Sequence, residues 1–258
     1  MVYDLSYDGL LYQVDLDGVL VRLHNKGERR EAYIPSGIPS DNDFIQIKAI
    51  GNRCFCGWFS KITISDSIDY VCDGAFERAR VSIVSWSKNC KRIPQYCFED
   101  CSIEKILNIE NVTEVGSYAF YMSGIQKITW PDACSHIPYM CFGNSCLKSI
   151  SNIDDVATIG TGAFSGCNIQ KIKWPTNCKE IPMNCFRRSE LREITNIDNV
   201  AEVGLKAFAS SRVKHLDLSN ICAVNIEPGA FEGIDPNEIT FPYYFPEDVI
   251  KLAFEAEE

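Results

Sequence analysis

No run of about twenty apolar residues occurs in the chain, so the sequence holds no helix that could span a bilayer. The opening MVYDLSYDGLLYQVDLDG lacks the basic region and long apolar core of a signal peptide and carries acids in their place. Positive charge is short: 25 Lys and Arg against 35 Asp and Glu leave a net charge of −10. That balance argues against nucleic acid or an anionic membrane as a general partner. Histidine is scarcer still. His24, His136 and His215 stand at unrelated positions and supply neither a catalytic triad nor a zinc set. Gly160-Thr161-Gly162 belongs to a repeated slot, not to a phosphate loop. These absences predict a protein without metal or cofactor and without membrane insertion. They predict a cytoplasmic location, or the cell surface or medium if the natural chain begins further upstream.

What the chain does have is a period. Trp86, Trp130 and Trp174 recur every 44 residues, and so do Cys90, Cys134, Cys178 and Cys222, and Pro94, Pro138 and Pro182. At half that spacing, Phe76, Phe98, Phe120, Phe142, Phe164, Phe186 and Phe208 are each 22 apart, with Phe55 21 before and Phe231 23 after. Nine anchored coils follow, and a fixed period of this length is the signature of a solenoid. A solenoid grows in one dimension, so the whole length reads as one domain.

Each unit opens on an apolar-x-x-apolar-x-apolar stretch: Ile125, Ile128, Trp130; Ile169, Ile172, Trp174; Val213, Leu216, Leu218. This is the strand of a leucine-rich repeat, whose second half alternates in and out with period 2. The pattern predicts a mostly β, α/β-type solenoid: a right-handed leucine-rich-repeat superhelix of about nine 22-residue coils, with parallel strands on one face. One coil cannot bury its own apolar side, so neighbours stack and the Phe residues form an internal ladder. Alternate coils differ. One has Trp-Pro, the next Asn-Ile (Asn108, Asn152, Asn196); one has Ile-Pro, the next Val-Gly. A position that takes both Pro and Gly needs φ near −65°, not a positive φ.

The segments VTEVGSYAFYMSGIQKITWP (112–131) and VATIGTGAFSGCNIQKIKWP (156–175) resemble the repeat of BspA-like leucine-rich repeat proteins, and the resemblance runs from about residue 44 to 242. It implies that residues 1–43 are an N-terminal cap hairpin, 44–242 the solenoid and 243–258 a C-terminal cap helix. It also implies an alternative role, since repeats of this kind are associated with surface proteins that bind host matrix.

Thirteen cysteines raise the question of disulfides. Cys90, Cys134, Cys178 and Cys222 fill the slot of Val112, Val156 and Val200. Cys54, Cys97, Cys141 and Cys185 fill the Ala slot before Phe. These are small buried positions, where a free cysteine behaves as a small hydrophobe. Same-slot cysteines lie two coils apart, about 10 Å, beyond bridging range. Cys101, Cys146 and Cys167 fall at the coil edge and are the expected exposed thiols.

At the N-terminus, Tyr12, Val14, Leu16 and Val19, Val21, Leu23 alternate around Asp17-Gly18, a hairpin signal. Val14-Asp15-Leu16-Asp17-Gly18-Val19 also resembles the first motif of haloacid-dehalogenase-type phosphatases, whose first Asp attacks phosphate on a Mg²⁺ site. No alternation of helix and strand follows to complete that fold, so the pair reads as a turn and the chain as no enzyme. Asn111-Val112-Thr113 is a formal glycosylation sequon that turn chemistry explains equally well. Beyond Phe231 the period ends. Ile239-Thr240 reads as a last strand, and Pro246-Glu247-Asp248 starts a short helix with acids in its first turn.

Solenoids bind through the strand face. The basic candidates there are Lys105, Lys127, Lys148, Lys171, Lys173, Arg192 and Lys214, extended by His215. Against them stand Glu104, Glu193 and Asp217, which leaves +4 on a chain of −10. The expectation is a non-enzymatic recognition or scaffold module binding a protein partner with an acidic surface. Unrelieved repulsion among Lys127, Lys171 and Lys173 would favour that partner. The alternatives are an extracellular adhesin and, more remotely, the phosphatase. The partner's identity and the oligomeric state are not written in the sequence.

Overall fold

A computed structural model describes residues 2–25, 31–40, 44–221 and 225–255. The chain is a mostly β solenoid of about nine coils with little helix. It divides into two compact units, Met1–Ala133 and Cys134–Glu258. In both, the apolar-x-x-apolar-x-apolar stretches bury as their spacing requires: Ile125, Ile128 and Trp130 in the first, Ile169, Ile172 and Trp174 in the second, all at most 6% exposed.

In the first unit the strands Glu31–Ile34, Trp58–Ile64, Arg80–Ser85 and Lys105–Leu107 form one parallel sheet. Phe55, Phe76, Phe98 and Phe120 stack beneath it at centroid distances of 4.2, 5.0 and 5.4 Å. In the second unit Lys171–Lys173 pairs in parallel with Glu193–Thr195. There Phe142, Phe164, Phe186, Phe208 and Phe231 stack at 5.8, 5.6, 5.6 and 5.5 Å. The return stretch, which the sequence left without an element, makes its own two-residue parallel ladder. Glu180–Ile181, Glu202–Val203 and Asn225–Ile226 run side by side in the second unit, and Arg92–Ile93 lies beside Glu114–Val115 in the first.

The turn that carries each Phe has a backbone pattern that residue types do not announce. The residues two before and two after Phe sit in the left-handed region, among them Tyr96 (φ 56°) and Asp100 (φ 52°), and Asn184 (φ 55°) and Arg188 (φ 56°). The alternation points every second N–H at the next coil. Thus Asn184, Phe186 and Arg188 donate to the carbonyls of Leu205, Ala207 and Ala209 at 2.9, 2.7 and 2.8 Å. Tyr96, Phe98 and Asp100 do the same to Ser117, Ala119 and Tyr121. Backbone donors buried between coils are thereby paired.

Alternation between coils has two causes. Gly116, Gly160 and Gly204 do not have positive φ, in line with a slot shared with Pro, and the reason for glycine is proximity. A Cβ on Gly160 would lie 2.5 Å from the backbone N of Tyr139, and one on Gly204 2.6 Å from that of Met183. Each glycine therefore sits directly on the Ile-Pro step of the preceding coil. At the other slot, Trp174 is buried and its indole N–H donates to the Cys178 carbonyl at 3.0 Å. One coil on, Asn196 takes a φ of 63° and donates from its side-chain amide to the Trp174 carbonyl at 2.7 Å.

Three strands open the chain, not two. Val2–Tyr7 pairs with Leu10–Asp15, which pairs with Val19–Asn25, all antiparallel. The first turn is Asp8-Gly9, with φ of 50° and 74°, an Asp-Gly hairpin signal as plain as Asp17-Gly18. Val19–Asn25 then runs parallel to Ala49–Ile50 and Phe55–Cys56, which joins the antiparallel part to the first coils.

At the other end the period continues where the sequence reading stopped it. The helix Glu247–Phe254 ends on Ala253-Phe254, 23 residues after Ala230-Phe231. Phe254 meets Phe231 at 5.7 Å, and the Phe231 N–H donates to the Ala253 carbonyl at 2.7 Å, the bond that Phe142, Phe164, Phe186 and Phe208 each make to the coil after their own.

The twelve cysteines among the described residues are all free, and Cys222 lies outside them. Cys146 is exposed as expected, but Cys101 (2% exposed) and Cys167 (0%) are buried. They share a slot with Ser123, Ser145 and Ser189, three residues after Phe, where the turn folds over them. Each of these serines donates its hydroxyl to the Phe carbonyl at 2.7–2.8 Å.

Candidate protein-binding face

A strand with its central residue buried presents the residues on either side outward. Lys105 and Lys127 are exposed at the starts of Lys105–Leu107 and Lys127–Thr129 in the first unit. Cross-strand register puts Lys61 in the same row, since Ile83 faces Lys61 on one side and Lys105 on the other. The candidates read from the sequence do not include Lys61, whose strand Trp58–Ile64 precedes theirs. In the second unit Lys171 and Lys173 are exposed on their strand, Lys148 is exposed beside Ser149–Ser151, and Arg192 is exposed just before Glu193–Thr195. Lys214 and His215 are exposed before Leu216–Asp217.

The electrostatics of this row differ from the expectation. Lys171 forms an ion pair with Glu193, its register partner, at 2.5 Å, and Lys173 pairs with Asp154 at 2.7 Å. The positive charge of both lysines is therefore balanced in the free protein, and the expected repulsion among them is relieved. These pairs are exposed and worth at most about 1 kcal/mol each, so a partner can open them. Lys105, Lys127, Arg192 and Lys214 make no ion pair among the described residues. His215 Nδ1 lies 3.1 Å from Glu238. Arg192 and Lys214 are brought together on adjacent rungs, with the Lys214 N–H donating to the Arg192 carbonyl at 3.0 Å.

The family description BspA type Leucine rich repeat region matches residues 42–151 and 135–255, in six copies. The chain belongs to this family. Among solved structures, this BspA-type chain is similar to a leucine-rich repeat protein from Bacteroides ovatus, at 24% identity and a TM-score of 0.72, over 89% of this chain and 60% of the other. It thus spans about three fifths of that protein's length. It is similar also to the pneumococcal vaccine antigen PcpA, at 16% identity and a TM-score of 0.53, over 93% of this chain and 82% of the other. At these identities the likeness is one of fold. No curated protein matches the chain.

Elsewhere on this BspA-type solenoid, the chemistry of other motifs is set by the fold. Asp15 Oδ1 accepts the N–H groups of Asp17 at 3.0 Å and Val19 at 2.9 Å, so its carboxylate closes the hairpin turn. Burial pushes the Cys101 and Cys167 thiols up to about 12 and raises those of Cys54, Cys97 and Cys185 as well. A thiol reacts as the thiolate, so these cysteines are inert in the native protein. Iodoacetamide at pH 8 is expected to label Cys146 first, Cys56 and Cys72 more slowly, and the buried set only after denaturation. Peptide-level mass spectrometry reads this directly, and early labelling of Cys101 or Cys167 contradicts the packing.

On the return ladder, Glu180 and Glu202 are register partners of like charge. Burial, and then Glu202, raise the pKa of Glu180 above its ordinary value. A carboxyl whose pKa is raised by folding destabilises the native state above that pKa, and the penalty fades as pH falls through the carboxylate range. Glu180→Gln is therefore expected to raise the melting midpoint at pH 7, with the gain shrinking toward pH 4. A gain that is the same at both pH values would show that ionisation is not its source.

Proposed function

We propose that the chain is a non-enzymatic protein-recognition module that binds its partner through the strand-lined face. The observation that carries this reading is the register of the outward side chains. Rows such as Lys61, Ile83 and Lys105 stand exposed or half-buried on parallel strands, spent neither on the core nor on a covering layer. The candidate face comprises Lys105, Lys127, Lys148, Lys171, Lys173, Arg192, Lys214 and His215, with Lys61 added. Its partner presents acidic groups, chiefly opposite the cations that lack an ion pair. Residues 1–43 and 243–258 serve to close the ends of the solenoid. The carbonyl of Ala253, which receives the last Phe turn, supports that role for the second segment.

The test is capture of partners from native and host lysates, quantified by mass spectrometry. Reversal of Lys105 and Lys127 to Glu is expected to reduce capture at least about tenfold, the scale of losing two charge-assisted contacts. Reversal of Lys88, Lys91 and Lys179 on the return side is expected to leave it unchanged. Capture by the parent protein should fall with added salt, mainly through slower association. Equal losses from both reversals would move the docking surface off the strand face.

An extracellular adhesin is the second reading, favoured by family membership and by the vaccine antigen among its structural neighbours. The unpaired cysteines favour a reducing compartment instead. A count of thirteen free thiols on protein isolated from its source under denaturing, non-reducing conditions supports the cytoplasmic reading, and paired thiols the adhesin. Mg²⁺-dependent hydrolysis of a phosphate ester, abolished by Asp15→Asn, would restore the phosphatase reading.

A further inference from the structure

The last rungs of the strand face contain a feature that the repeat does not predict. Leu191 and Val213 occupy a buried slot five residues after Phe, and the corresponding residue of the next coil is Pro236. Proline has no N–H, so it lacks the donor that Leu191 gives to the Ser189 hydroxyl at 3.4 Å. The chain instead makes a 3₁₀ turn, Pro236–Glu238, whose N-cap Asp235 accepts the Asn237 N–H at 2.9 Å. Between this turn and the preceding rungs lies a cleft of about 370 Å³, lined by Arg192, Ser211, Arg212, Lys214, Asp235 and Glu238 among others. That volume is in the range of small-ligand sites.

The polar groups of the cleft are unequally committed. Both carboxylates are engaged: Asp235 caps its own turn, and Glu238 accepts the His215 N–H at 2.9 Å and faces His215 Nδ1. Arg212 is held by Glu190 at 2.9 Å. Arg192 and Lys214 are not held. They are two cations one rung apart, about 5 Å by strand spacing, with no ion pair among the described residues. Beside them the Ser211 hydroxyl oxygen is buried without a hydrogen-bond partner. The serines in the same slot of other coils each donate to the Phe carbonyl, and Ser211 does not. A buried hydroxyl left unpaired is destabilising, and a ligand acceptor would relieve that.

We propose that this cleft receives a side-chain carboxylate of an acidic peptide segment, clamped between Arg192 and Lys214, with the buried Ser211 hydroxyl turning into the cleft to donate a hydrogen bond to it. The chemistry selects a single negative charge. Asp235 and Glu238 on the opposite wall repel a dianion such as a phosphate, and Arg192 offers a planar fork that matches a carboxylate. The inference rests on the strand-face reading in that Arg192 and Lys214 belong to both, and it gives that face one defined subsite.

The experiment titrates the isotope-labelled full chain with acetyl-Ala-Glu-Ala-amide, and separately with its Gln and phosphoserine counterparts, following the Arg192 Nε–H and Lys214 backbone resonances. The Glu peptide is expected to shift both and to saturate. The Gln and phosphoserine peptides are expected to bind at least about tenfold more weakly. Arg192→Ala with Lys214→Ala should weaken the Glu peptide by a similar factor, and Ser211→Ala by less, the rest of the spectrum confirming the fold. Reversal of Lys105 and Lys127 should leave the titration intact even where it abolishes partner capture, so a failure of the strand-face reading and a failure of the subsite are distinguishable. Equal binding of the Gln peptide, tighter binding of the phosphoserine peptide, or an unaffected double variant would each overturn the proposal.

Discussion

Phe164→Ala is expected to destabilise the protein by about 3–5 kcal/mol, the range for truncating a fully buried aromatic. Phe164 is 0% exposed and lies between Phe142 at 5.8 Å and Phe186 at 5.6 Å, with rings 5° and 8° from parallel. The cavity cannot close by moving one neighbour, because each of those rings is fixed by the inter-coil hydrogen bond of its own Phe N–H. A urea or guanidinium unfolding midpoint measures the loss. A midpoint that barely moves would mean that the ladder bears little of the stability.

Gly160→Ala is expected to cost about 1–3 kcal/mol, which opposes the usual sign. Replacing glycine at an ordinary φ generally stabilises by ~0.4–1 kcal/mol through the unfolded state. Here the added Cβ would lie 2.5 Å from Tyr139 N and 2.7 Å from the Pro138 carbonyl carbon. Both are backbone atoms with no rotamer to escape into, so two coils must separate locally, and overpacking strain of ~1–3 kcal/mol outweighs the entropy gain. The same measurement on Gly204→Ala should agree, since its Cβ would meet Met183 N at 2.6 Å. A neutral or stabilising result at both sites would remove close approach as the reason for glycine.

Much of this fold is legible because side-chain burial repeats with the chain. The Phe ladder, the strand triplets and the valine-like cysteines each show a residue type at a fixed spacing, and the packing follows. What was not legible depends on backbone direction or on a neighbour from another coil. Tyr96, Met140 and Lys206 carry no sign that they sit at positive φ. Cys101 and Cys167 looked peripheral by position, yet the turn after Phe folds over that slot. The balance of Lys171 and Lys173 was hidden because Glu193 and Asp154 belong to other coils, 22 residues on and 19 residues back. Asp8-Gly9 and Ala253-Phe254 were readable signals that lay just outside the apparent repeat. The cleft needed two facts at once, the proline in an apolar slot and the unspent Ser211 hydroxyl, and only the first is written in the sequence.

The two left-handed residues beside each Phe have a consequence for chirality. Their region of φ and ψ is the one that D-amino acids occupy at ease and L-amino acids occupy under strain, most severely the β-branched ones. Tyr, Met, Asn, Asp, Arg, Lys, Ser and Gly fill these stations, and Val, Ile and Thr, common elsewhere in the chain, fill none of them. A chain of one handedness thus builds these turns by taking the opposite hand twice per coil. In a chemically synthesised protein, D-Asn at 184 or D-Arg at 188 would be the unstrained enantiomer, and the same inversion at Phe186 between them would not.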